Sequence, residues 1–117
     1  MKIKFFTTGG TIDKVYFDNL SKYEVGEPKV DIILKDARIN FNYEIEPLFK
    51  KDSLDINEKD RLAIFNAVKK DNNRFIIITH GTDTMVQTAD ALKKIKDKVI
   101  VLTGAMEPAE FKSSDAF

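Results

Sequence analysis

Two stretches of the chain, Arg74–Thr79 (RFIIIT) and Lys98–Thr103 (KVIVLT), are apolar at nearly every position and rich in β-branched residues. A strand covered on one face alternates apolar with polar. Unbroken runs such as these therefore predict strands buried on both faces of a parallel sheet. Lys2–Thr8 (KIKFFTT) predicts a third strand at the amino terminus. Tyr43–Phe49 (YEIEPLF) alternates apolar and charged residues and predicts a fourth. Pro47 has no N–H to give a ladder, so that strand belongs at a sheet edge or ends early.

Between these runs the apolar spacing changes to three and four residues. Val30, Ile33, Leu34 and Ala37 predict one helix, and Leu62, Phe65 and Val68, with Ile64 alongside, predict a second. Asn57 is placed to cap the second helix, with Asp60 in its first turn. Met85, Thr88, Ala89 and Leu92 predict a third, ending among Lys93, Lys94 and Lys96, whose cations suit a carboxyl-end dipole. Strands alternating with helices predict an α/β fold with a mostly parallel sheet. The polar segment from Asp13 to Pro28 reads as a long mobile loop, and loops of that length are more often functional than idle.

Composition narrows the function classes. At 117 residues, with 43% hydrophobic and 32% charged side chains, the chain fits one soluble domain with a real core. Nineteen basic and nineteen acidic residues cancel, so a basic footprint for nucleic acid is absent. No apolar run reaches the roughly 20 residues that span a bilayer, and no membrane partner is expected. There is no cysteine, hence no disulfide or thiolate metal site, and a cytoplasmic location is the default expectation. His80 is the only histidine, so a zinc site would need carboxylates for nearly all its ligands. A buried, hydrogen-bonded histidine is the simpler reading.

The chemistry lies at the carboxyl end of each apolar run. The first leads into Thr7, Thr8, Gly9, Gly10 and Thr11, the second into His80, Gly81, Thr82, Asp83 and Thr84, and the third into Gly104, Ala105 and Met106. Parallel strands end on one edge of their sheet, where open α/β sheets bind ligands. Three endings rich in hydroxyls and glycine are therefore expected to converge on one cleft. Glycines let the backbone turn sharply and approach a ligand. Thr11 is then displayed over the cleft as a candidate nucleophile, which needs a neighbour to take its proton. Tyr23 and the Thr82–Asp83 pair are the candidates, and backbone N–H groups are candidate oxyanion donors. Taken singly, each motif has a plainer reading. Gly-Gly-Thr is a common turn, Thr82 and Asp83 can cap the third helix, and Ser53 and Asp55 can belong to a polar loop. No dinucleotide or mononucleotide glycine signature is present.

With TTGGTI (Thr7–Ile12), HGTDTM (His80–Met85) and GAM-P (Gly104–Pro108) in that order, the chain resembles the amino-terminal domain of bacterial-type L-asparaginases. The resemblance extends over nearly the whole length and is nearest to short, single-domain asparaginase-like proteins. It implies a three-layer α/β sandwich forming one domain over residues 1–117. It also implies hydrolysis of L-asparagine to L-aspartate and ammonia through an acyl-enzyme, without metal or cofactor. Thr11 matches the family's nucleophile, and Tyr23, in YEVG, matches the tyrosine that helps activate it. Thr82 matches the second catalytic threonine, and Asp83 the aspartate that holds the substrate's α-amino group. Ser53 matches the serine that binds the α-carboxylate, and Ala105 the alanine whose carbonyl faces the leaving amide. Gly10 and Gly81 complete the expected substrate-binding set.

Three features depart from the family. Asp13 and Lys14 stand where a small residue is usual after GGTI. A helix expected to start after Ser113 or Ser114 is cut short, which reads as a truncated carboxyl end lacking the family's downstream lysine. The second domain is also missing, and the uncovered apolar sheet surface predicts a homo-oligomer. The competing reading is a non-catalytic amino-acid-binding module, or an incomplete fragment that keeps the pocket.

Overall fold

The computed structural model describes residues 2–17, 22–109 and 114–117, with backbone alone for 15–17 and 22–24. Four parallel strands form the sheet: β1 (Lys2–Gly9), β4 (Asn42–Lys51), β5 (Phe75–Thr79) and β6 (Val99–Thr103), in the order β4-β1-β5-β6. Side chains alternate across a strand, so adjacent Phe5 and Phe6 enter opposite layers. Phe5 packs with Val30 and Leu34 of α1 (Val30–Asp36). Phe6, Ile76 and Ile78 pack with Ile64 and Val68 of α2 (Glu58–Lys70) and Leu92 of α3 (Met85–Leu92). Helices thus cover both faces, giving the three-layer α/β sandwich.

Pro47 lies in edge strand β4, as its missing N–H requires, and the strand continues past it to Lys51. Asn57 caps α2 in a reciprocal box with Asp60. The Asp60 N–H donates to Asn57 Oδ1 at 2.9 Å, and the Asn57 N–H donates to Asp60 Oδ2 at 3.1 Å.

Several local expectations are corrected. The segment after Asp13 is not one loop: β2 (Lys14–Phe17) and β3 (Lys22–Val25) pair as an antiparallel hairpin. The β-branched and aromatic residues of KVYF and KYEV favour strand pairing, and polar neighbours masked that signal. α2 is rotated from its expected face. Its buried stripe is Asp60, Arg61, Ile64 and Val68, whereas Leu62 is 58% exposed. β6 is an edge strand, so its run is not buried on both faces, and Val99 and Val101 are about half exposed (46% and 49%). Ser114–Phe117 is a turn, not a helical start, and the Asp115 carboxylate accepts the Met106 and Glu107 N–H groups.

At the amino ends of the strands Lys4 is almost fully buried. Its Nζ lies 2.7 Å from Glu44, 3.0 Å from Glu46 and 3.4 Å from Asp71. Burial opposes the charge, but the three carboxylates outweigh that cost and hold its pKa above the ordinary lysine value. The cluster closes the sheet edge opposite the strand endings rich in hydroxyls and glycine.

Candidate active site

Gly10 leaves β1 at φ 84°, ψ 179°, a backbone region that is essentially glycine's own. A Cβ there would lie 2.6 Å from the Gly81 nitrogen, so the endings of β1 and β5 touch backbone to backbone. Gly81 is equally confined, since a Cβ on it would meet Ser53 Cβ and Oγ at 2.8 Å. Gly10, Gly81 and Ser53 are therefore stacked in direct contact. At β6 the His80 N–H donates to Thr103 O at 2.9 Å, which carries the β5–β6 pairing toward buried Ala105. All three strand endings meet at one edge, as parallel pairing requires.

Ser53 begins a short 3₁₀ turn (Ser53–Asp55) and is 1% exposed, so it is no ordinary polar loop residue. Its Oγ accepts the Thr84 N–H at 3.3 Å, while the Thr84 hydroxyl donates to Ser53 O at 2.7 Å. That clasp fixes the Ser53 turn to the His80–Thr84 segment and uses the Ser53 hydroxyl only as an acceptor. Thr84, with no side-chain cap bond, occupies the N-cap of α3. Thr82 and Asp83 precede it and are exposed, so the helix cap does not account for them.

Thr11 is half-buried and opens a second 3₁₀ turn, Thr11–Asp13. The turn is tied down at each residue after it. Ile12 O accepts the Ala109 N–H at 3.1 Å, and Asp13 O accepts the Gly26 N–H at 2.8 Å. Asp13 Oδ1 accepts the Lys29 N–H at 2.9 Å, and Lys14 Nζ lies 3.0 Å from Asp52 Oδ1, one residue before Ser53. Asp13 and Lys14 thus brace the root of the hairpin. Tyr23 belongs to β3 opposite Tyr16, and its side chain falls outside the described residues.

Burial pushes the Asp13 carboxyl up to about 6, against the opposing pull of Lys29. A raised carboxyl pKa means that folding favours the protonated form. Its stabilising contribution is complete below about pH 4 and is lost as pH rises through 6. Asp13→Asn, which cannot titrate there, should gain in relative melting temperature between pH 4 and 7, as thermal scans across that range would read. A constant difference between parent and variant would contradict this.

His80 is fully buried and both ring nitrogens are engaged: Nδ1 is 2.6 Å from Gly81 O, and Nε2 is 2.8 Å from Thr88 Oγ1. Burial is the main reason its pKa lies below the ordinary histidine value, so the ring is neutral at pH 7. Pinned to the ring, the Gly81 carbonyl points inward. In a trans peptide the next N–H points the opposite way, so the Thr82 N–H is turned outward. Among the described residues, no group of three or more His, Cys, Asp or Glu could hold a metal ion. The bonding roles of Thr84, Thr88 and Arg61 and the burial of Asp13 are not legible in the sequence. The polar pair Asp60–Arg61 on the face shared with Ile64 and Val68 was the signal available for Arg61.

The family model described as "Asparaginase, N-terminal" matches residues 2–117. This chain belongs to the asparaginase family. A Haemophilus influenzae protein named probable L-asparaginase periplasmic is 35% identical over 97% of this chain and 35% of its own length. The thermostable L-asparaginase from Thermococcus kodakarensis superposes with a TM-score of 0.82 at 33% identity, covering 99% of this chain and 37% of that one. A Thermoplasma acidophilum protein, named as a component of glutamyl-tRNA(Gln) amidotransferase, is 27% identical over 98% of this chain and 30% of its own. The asparaginase-family domain thus spans about a third of the length of these relatives. No helix among the described residues is long and apolar enough to cross a membrane.

Proposed function

We propose that this domain hydrolyses the side-chain amide of L-asparagine, with Thr11 as nucleophile. The observation that carries the reading is the direct contact of Gly10, Gly81 and Ser53, which brings the Thr11 turn, the Thr82–Asp83 turn and a buried serine to one edge. An amino-acid amide presents an α-carboxylate, an α-ammonium and a reacting carbonyl at fixed separations. Ser53 donates to the carboxylate, exposed Asp83 accepts from the ammonium, and the amide carbon then lies toward Thr11.

Thr11 Oγ attacks the amide carbon while its proton passes through the Tyr23 or Thr82 hydroxyl, each giving up its own proton as it accepts one, toward the amide nitrogen. Outward backbone N–H groups, that of Thr82 among them, stabilise the oxygen that becomes negative. The tetrahedral species collapses by breaking the C–N bond, and the proton leaves with ammonia. Water then cleaves the aspartyl ester, releasing L-aspartate and restoring the Thr11 hydroxyl. Ala105 O faces the departing nitrogen. No cofactor enters these steps.

The second reading is a module that binds the amino acid without turning it over, for which the Ser53 clasp and exposed Asp83 suffice. Ammonia release from L-asparagine, measured beside the melting shift caused by millimolar L-aspartate, separates the two. Release together with a shift supports the amidohydrolase. A shift without release moves the assignment to the binding module, and neither effect contradicts both.

A further inference from the structure

Behind the Gly81–Thr82 peptide lies a buried line of polar groups. Arg61 Nη1 contacts Glu58 at 2.7 Å, and Arg61 Nε donates to Thr88 Oγ1 at 3.2 Å. The Thr88 hydroxyl meets His80 Nε2 at 2.8 Å, and His80 Nδ1 meets Gly81 O at 2.6 Å. Thr88 and His80 are fully buried, and Arg61 is nearly so.

The donor inventory gives every bond one direction. Arginine can only donate, so Thr88 accepts from Arg61, and a neutral ring whose proton is held at the Gly81 carbonyl leaves Nε2 bare to receive the Thr88 hydroxyl proton. Nε2 is therefore an acceptor, and the ring proton sits on Nδ1. That is also what a carbonyl oxygen 2.6 Å away requires, since a bare Nδ1 would set two acceptors against each other. The opposite tautomer breaks the line at Gly81. Held this way, the Gly81 carbonyl cannot rotate outward, and the Thr82 N–H that shares its peptide plane stays aimed away from the core.

We propose that His80 is a positioning residue: the Arg61–Thr88–His80 relay locks one imidazole tautomer, which pins Gly81 O and thereby aims the Thr82 N–H at the cleft. This rests on the amidohydrolase reading for its consequence in turnover, though not for the relay itself. The relay starts in a groove of about 350 Å³ between α2 and α3, lined by Glu58, Arg61, Leu62, Phe65 and Ala91. It ends at the peptide that precedes Thr82.

A single histidine makes the test clean, because every imidazole ¹⁵N signal belongs to His80. Imidazole ¹⁵N spectra at pH 7 should show the Nδ1–H tautomer in the parent. Thr88→Ser keeps the hydroxyl and should preserve the tautomer, the Thr82 amide shift and turnover. Thr88→Val removes the donor to Nε2. It should shift the Nε2 signal as that acceptor loses its partner, loosen the ring, move the Thr82 amide signal and lower kcat about tenfold or more, with KM changed less. An Nε2–H tautomer or an imidazolium in the parent overturns the relay, whether or not the valine variant folds. So does a folded Thr88→Val with an unmoved Thr82 amide. A parent without turnover counts against the amidohydrolase reading alone, and the spectra still decide the relay.

Discussion

Thr11→Val should reduce ammonia release from L-asparagine to background and leave the fold intact. Valine matches threonine in shape, Thr11 is only half-buried, and its turn is held by backbone bonds at Ile12 and Asp13 that the side chain does not make. On the proposed mechanism the lost hydroxyl is the atom that forms the ester. Removing a nucleophile costs on the order of a million-fold in kcat in the best-measured hydrolases. Melting temperature and L-aspartate binding should stay near parental values, because the contacts proposed for Ser53 and Asp83 are untouched. Loss of both turnover and folding would point to a structural role for the side chain instead.

Gly10→Ala should fail by the opposite route, through the backbone. The φ of 84° with ψ 179° is strained for any residue with a Cβ, at a cost of about 1–3 kcal/mol. The added carbon would also lie 2.6 Å from the Gly81 nitrogen, and a backbone atom cannot swing aside as a flexible side chain can. Relief requires the Thr11 turn and the Gly81 turn to separate, which parts the two halves of the site. A fall in melting temperature on the order of 10 °C is expected, and any folded remainder should turn over poorly. A variant that melts within about two degrees of the parent and keeps full activity would mean that these endings are not in contact in solution.

Much of this arrangement was legible in the sequence. The β-branched runs, the cap at Asn57 and the proline in β4 each follow from local stereochemistry, and parallel pairing then dictates that the endings share an edge. The motifs at those endings also pointed to the family. What the sequence hid was tertiary in origin. β6 looks like a central strand, but its position at the sheet edge leaves Val99 and Val101 half exposed. α2 offers two apolar stripes, and packing on Ile76 and Ile78 selects the one through Ile64 and Val68. That choice draws Arg61 inward, where Thr88 and His80 meet it. The hairpin after Lys14 was masked because its strands are short and rich in charge. Asp13 read as the first residue of a polar loop, whereas the hairpin root and the Lys29 N–H enclose it.

The central claim is that Thr11 forms the bond to the substrate. Its most direct measurement is peptide mapping by mass spectrometry after the chain, mixed with L-asparagine, is quenched in acid within the first turnovers. An aspartyl ester on the peptide carrying Thr11, absent in Thr11→Val, is the predicted result. Ammonia release with no ester at Thr11, or with the ester on Thr82, would contradict it.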